Sequence, residues 1–285
     1  MKSFTLNESV NIEGIGLHTG VKTNVTLNPA PLNSGIFFNR IDKSTIIPAK
    51  WDNVISTKFS TNIATNGVEV KTVEHLLSAL AGLHINNCEI LIDNVEVPIL
   101  DGSSNVFVES ILKKGIKEQD LEQKILEIVK PVKFSCDYGY AELAPNSPKD
   151  EGLNINLESS FEGKYEDQDI KIMNLNGNYI ESISKARTFG FFQEIEYLKS
   201  QNLIKGGSLD NAIVIKDKKP LNKDGLRYDN ELMRHKVLDV VGDLYLSGFP
   251  IIGTYKGFKT GHFITNNLLK ELFNSQENYK IHNIN

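Results

Sequence analysis

Residues 229–247, DNELMRHKVLDVVGDLYLS, decide how the second half of this 285-residue chain is read. Met233, Val237, Val240 and Leu244 recur at helical spacing and predict a core-facing stripe. His235, Asp239 and Asp243 fall on a different face. Side chains four apart are turned by only about 40° and separated by roughly 6 Å along the axis, so an imidazole and a carboxylate can converge on one ion. A solvated helix face carries the same pair, and the spacing alone leaves both readings open.

A second helix is expected from residue 72, with Thr72 as its N-cap, Glu74 and His75 in its first turn, an apolar body and an end at Gly82. An acid and an imidazole there also suit the helix dipole and cap. Taken with the first stretch they suggest more. His75, His235 and Asp239 would supply three protein ligands and leave a fourth position for water, the arrangement of a catalytic zinc. Glu74, next to a ligand, would then be the general base, and Fe2+ suits the same donors.

Around these helices the signals are those of sheet. Residues 5–28 and 35–47 alternate, 88–99 is apolar enough for a strand, and 105–114 reads as another helix. A charged stretch at 117–127 precedes Pro131 and fresh strand signals at 132–143 and 153–157. A helical pattern at 191–201, a strand at 212–215 and an apolar Ile251-Ile252 run follow. The expected fold class is α+β, in two similar domains, 1–126 and 127–285, each a β-sheet packed against helices with the active site between them. Glu74 and His75 belong to the first, and His235, Asp239 and His262 to the second. The polar tail, 274–285, is expected to leave His282 exposed.

A net charge of -5 gives no case for nucleic acid or an anionic membrane surface, and 40% hydrophobic content suffices for a core. No apolar run approaches the roughly 20 residues of a transmembrane helix. The first ten residues lack the apolar core of a signal peptide, and Cys88 and Cys136 form no framework, so a reducing, cytoplasmic setting is expected. Gly14, Gly16 and Gly20 miss the dinucleotide spacing, and Lys205-Gly206-Gly207-Ser208 lacks the phosphate-loop frame; it reads as a turn, with Gly207 facing a substrate. H-E-x-x-H and its inverse are absent.

The chain resembles the UDP-3-O-acyl-N-acetylglucosamine deacetylases, zinc amidases of lipid A synthesis. The likeness runs through GIGLHTG at 14–20, TVEH at 72–75, VPILDGS at 97–103, ARTFG at 186–190, GGS at 206–208, RHKVLD at 234–239 and Gly261-His262. It implies hydrolysis of the N-acetyl group of UDP-3-O-(3-hydroxyacyl)-N-acetylglucosamine, with zinc lowering the pKa of a water whose proton Glu74 takes. Lys236 and Thr188 are implied as donors to the developing oxyanion, and His262, oriented and kept charged by Asp243, as the acid for the leaving amine. Phe189 and Phe191 are the foremost residues to line an acyl channel, and His18 either approaches the site or fills its loop. Two departures stand out: residues 57–61 hold no cysteine, and near Ala144 and Ser160 no lysine and aspartate match those that some members use around the nucleotide. A monomer is expected. A zinc amidase acting on another acetylated sugar and a noncatalytic metal scaffold are the competing classes.

Overall fold

The computed structural model describes residues 2–147 and 150–283. The first half opens with β1 (Lys2–Leu6), β2 (Val10–Ile15), β3 (Lys22–Pro29), β4 (Ile36–Arg40) and β5 (Thr45–Pro48). β6 (Val54–Ser56), β7 (Asn62–Thr65) and β8 (Val68–Val70) make a small antiparallel sheet that leads into α1 (Glu74–Gly82). β9 (Cys88–Ile92) completes a five-stranded sheet in the order β2-β3-β9-β4-β5, antiparallel except where β4 runs parallel to β9. Val10, Ile12, Val25, Leu27, Phe38, Ile47 and Ile90 are buried while alternate residues face outward, so only one face joins the core. α2 (Asn105–Lys114) packs on β2 and on α1, and β10 (Ile116–Glu122) returns to pair with β1.

The second half contains β11 (Lys124–Ile128), β12 (Val132–Cys136), β13 (Gly139–Ala144), β14 (Leu153–Ser159), β15 (Gln168–Ile172) and a single turn, α3 (Tyr179–Ser182). It continues through β16 (Phe189–Phe191), α4 (Ile195–Ser200), β17 (Ile213–Lys216), β18 (Lys219–Pro220), α5 (Glu231–Tyr245), β19 (Ile251–Phe258), α6 (His262–Phe273) and β20 (Tyr279–Asn283). β19 is the axis of a seven-stranded sheet, antiparallel to β13 and parallel to β14 and β11. β12, β15 and β20 extend those neighbours, while β16, β17 and β18 form a separate sheet. The molecule is thus α+β, several sheets packed against helices, six of them among the described residues, where no helix is long and apolar enough to cross a membrane.

The contact that positions the site is the crossing of α1 and α5. Met233, Val237, Val240 and Leu244 are buried as their spacing predicts. The opposite face of α5 is buried too, against α1, because Gly242 lets the backbones meet: a Cβ there would overlap the Glu74 carbonyl oxygen.

Three expectations need correction, and a stretch the sequence left unassigned, 117–127, resolves into strand. Thr72 is not an N-cap: α1 starts at Glu74 behind Val73, and the Thr72 hydroxyl instead donates to Glu96 Oε1 at 2.9 Å. The strand expected over 88–99 stops at Ile92; just beyond it the Asn94 side chain accepts from the Val95 N–H, a local bond that competes with the ladder. The charged 117–127 stretch forms β10 and β11, its charges pointing to solvent while the backbone pairs. The polar tail forms β20 on β11, where Tyr279 is buried and His282 Nε2 lies 2.8 Å from Glu127.

Candidate active site

The ligand atoms of His75, His235 and Asp239 lie within 4.8 Å of one another. Asp239 Oδ1 is 3.4 Å from His235 Nε2 and 3.7 Å from His75 Nε2, and the two rings meet edge-on with centroids 4.9 Å apart. His235 Nδ1 donates to the Ala186 carbonyl at 3.0 Å, which fixes the tautomer and leaves its Nε2 lone pair facing Asp239. That carbonyl is itself anchored. The N–H of the same peptide, on Arg187, donates to Glu231 Oε1 at 3.0 Å, and Arg187 Nε and Nη2 donate to the same carboxylate, which is wholly buried at the start of α5.

Asp239 Oδ1 is buried with no hydrogen-bond partner, as is His75 Nδ1. An orphaned carboxylate oxygen facing two imidazole nitrogens is costly unless a cation takes its charge. Burial, then the neighbouring His235, His262 and His18, pushes His75 well below the ordinary imidazole range, so it is neutral, the ligating form. Two imidazoles and one carboxylate suit Zn2+ or Fe2+ and leave room in the coordination sphere.

Beside this triad stand a carboxylate and a histidine. Glu74 Oε2 accepts from the Thr61 N–H at 3.0 Å, and its Oε1 lies 3.8 Å from His262 Nε2. Burial raises Glu74 to about 8, helped by Asp243 and Asp239 and opposed by His262. His262 opens α6 with its side chain 14% exposed, and its Nδ1 is 2.8 Å from Asp243 Oδ2. Burial works against its charge, yet Asp243 and Glu74 together hold it up at about 10.

The other expected residues surround this core at different distances. Lys236 Nζ donates to the Thr260 carbonyl at 2.9 Å, and burial lowers its pKa. Thr188 is half-buried, its N–H bonded to the Gly102 carbonyl at 2.7 Å. The Phe189 ring stands 6.2 Å from His235 and 6.0 Å from both Phe191 and Phe161. Gly207 is exposed in a turn whose Lys205 and Gly206 amides bond the His18 and Leu17 carbonyls. His18 is buried, with Nε2 3.3 Å from the Phe59 carbonyl, and burial lowers its pKa.

Thr61, Glu96 and Phe161 escape the sequence reading. Glu96 has no exposure at all and accepts from His18 N, Thr19 N, Thr19 Oγ1 and Thr72 Oγ1. Its carboxylate packs on Gly16, where a Cβ would overlap it. Its place just ahead of Val97-Pro98 was the only signal.

An α+β chain that gathers two imidazoles, a carboxylate and an acid–base pair has the makings of a mononuclear metallohydrolase. Residues 3–274 match the family model of LpxC, UDP-3-O-acyl N-acetylglycosamine deacetylase. The chain is 42% identical to the UDP-3-O-acyl-N-acetylglucosamine deacetylase of Hahella chejuensis, covering 99% of this chain and 93% of that protein. It is 43% identical to the enzymes of the same name from Teredinibacter turnerae and Saccharophagus degradans, with the same coverage. The chain belongs to this deacetylase family.

Proposed function

We propose that this chain hydrolyses the N-acetyl group of UDP-3-O-acyl-N-acetylglucosamine to a free amine and acetate, in lipid A synthesis. The observation that carries the reading is the partnerless Asp239 Oδ1 between two imidazoles, with Glu74 and His262 alongside. His75, His235 and Asp239 would hold one Zn2+ or Fe2+, which supplies Lewis acidity and a water acidic enough to react near neutral pH.

Glu74 takes the proton of the attacking water. Its burial makes it a far better base than an exposed carboxylate, and the Thr61 amide keeps one oxygen occupied while Oε1 stays available. His262 gives a proton to the departing nitrogen, because an amine anion is too basic to leave, and Asp243 holds its ring and its charge. The Thr188 hydroxyl and Lys236 stabilise the carbonyl oxygen as charge builds on it. Lys236 reaches it by exchanging its Thr260 carbonyl partner for the oxyanion. Phe189, Phe191 and Phe161 offer the acyl chain an apolar wall, and the Gly207 turn borders the substrate. The protein acts as a cytoplasmic monomer, halves 1–126 and 127–285 each contributing part of one site.

Deacetylation of the acylated UDP-sugar, assayed beside metal content, tests this. Glu74→Gln is expected to keep its metal and to lose about 100- to 10,000-fold in kcat. Turnover equal to that of the parent protein would end the general-base assignment, and metal binding that survives His75→Ala and Asp239→Asn would end the ligand assignment.

A further inference from the structure

Thr61 is 1% exposed, directly ahead of β7, and donates two hydrogen bonds to opposite partners. Its N–H goes to Glu74 Oε2 at 3.0 Å, and its hydroxyl to Asp243 Oδ1 at 2.6 Å. Asp243 is 2% exposed, and its other oxygen meets His262 Nδ1 at 2.8 Å. One residue therefore touches both the carboxylate read as the base and the carboxylate that holds the histidine read as the acid.

We propose that Thr61 is a positioning residue for the reaction, setting the base and the acid against each other across the two halves of the molecule. The proposal rests on the roles given above to Glu74 and His262. The torsion that turns a Glu carboxylate is soft, so an unanchored Glu74 would sweep its oxygens through a range of directions. The amide bond on Oε2 removes that freedom and leaves Oε1 aimed at His262 Nε2, 3.8 Å away. The hydroxyl bond does the same for Asp243. Without it, Oδ1 would be a buried anionic oxygen lacking a partner, and Asp243 would turn to find one, taking the His262 ring with it.

Thr61 is itself held firmly. Val73 N donates to its carbonyl at 3.2 Å, and the next residue, Asn62, takes the Thr72 N–H at 3.1 Å and the Ser60 hydroxyl at 3.0 Å on Oδ1. The anchor is thus tied to the entrance of α1, while its hydroxyl reaches α5 one residue beyond the point where Gly242 meets the Glu74 backbone.

Thr61→Val removes the hydroxyl and keeps the amide. It is expected to lower kcat by roughly 10- to 100-fold while KM for the acylated UDP-sugar stays within about twofold and metal content is unchanged. Thr61→Ser restores the hydroxyl and is expected to recover kcat to within about threefold of the parent. Should the valine methyl crowd Asp243 and prevent folding, Thr61→Ala deletes the same hydroxyl without that bulk and is read by the same criteria. Parent-level kcat in the folded hydroxyl-less variant overturns the proposal, and so does a serine variant as slow as it. Glu74→Gln is assayed in parallel. If it is inactive while the hydroxyl-less variant is normal, only the role of Thr61 fails; if Glu74→Gln is itself fully active, the acid–base reading beneath it fails.

Discussion

Glu74 and His75 are neighbours in sequence on which burial acts in opposite senses. It drives His75 down to the neutral imidazole a metal needs and Glu74 up to about 8, where a carboxylate is a useful base. Both Glu74 and His262 bind protons more tightly folded than unfolded, Glu74 at about 8 against an ordinary 4.5 and His262 at about 10 against 6.5. The stability this gives the metal-free protein is full below the unfolded values and lost as pH rises through the folded ones. Its Tm is therefore expected to fall by at least about 4 °C between about pH 6 and about pH 9 in calorimetry. Glu74→Gln, which cannot titrate, removes the part of the fall centred below about pH 8 and leaves the later part due to His262. A metal-free Tm that is level or rising over this range contradicts the assignment. At this scale the sequence was legible in part where chemistry repeats in a pattern: an imidazole and a carboxylate one turn apart made His235 and Asp239 a candidate pair, which the same spacing on a solvated face would equally produce. Thr61 and Glu96 are single polar residues whose meaning lies wholly in what they touch, Asp243 and Thr72 among others, and no spacing foretells that.

α5 was readable because its apolar stripe survives in the fold, and α2 because Phe107, Val108 and Ile111 do the same. β20 was hidden by its composition: strand pairing needs only backbone, and Lys124 to Ile128 supplies that edge whatever side chains the tail carries. The two helix ends at the site have their own requirements. Gly242→Ala puts a methyl into the Glu74 carbonyl, so α1 and α5 must part. A destabilisation of about 1–3 kcal/mol is expected in urea unfolding, with a loss of kcat out of proportion to any loss of folded protein. Unchanged stability would show that the crossing is looser than it stands here. Arg187→Gln leaves the buried Glu231 carboxylate without its counter-cation, held only by the Arg187 and Arg227 amides, and loosens the peptide whose Ala186 carbonyl orients His235. Breaking such a pair costs about 3–5 kcal/mol, and a disturbed partner of a ligating histidine lowers metal affinity by roughly 10- to 100-fold. Metal titration of the folded variant, at low temperature, checks the second figure; parent-like affinity would sever Arg187 from the site.

Across the whole molecule, the chain changes partners at Gln123: β10 pairs back to β1, and β11 joins β19 and β20. We propose that the halves join near residue 126, close to this change of partners. His75 comes from one side of this junction and His235 and Asp239 from the other, so a cation bound by all three binds only the assembled fold. Ligand binding restricted to the native state raises stability by RT ln(1 + [M]/Kd), about 2.7 kcal/mol at a hundredfold excess over Kd. For a chain of this length that corresponds to a Tm rise of roughly 5–10 °C on adding Zn2+ to chelator-treated protein, and to an equal fall on stripping it. His75→Ala leaves two ligands on a single helix, which bind a cation weakly and without joining the halves, so its Tm is expected to be indifferent to zinc. A parent protein that loses activity on chelation yet keeps its Tm would contradict a cation that ties the two halves together. In that case α1 and α5 owe their crossing to Gly242 and the apolar core, and His75 contributes to chemistry without contributing to assembly.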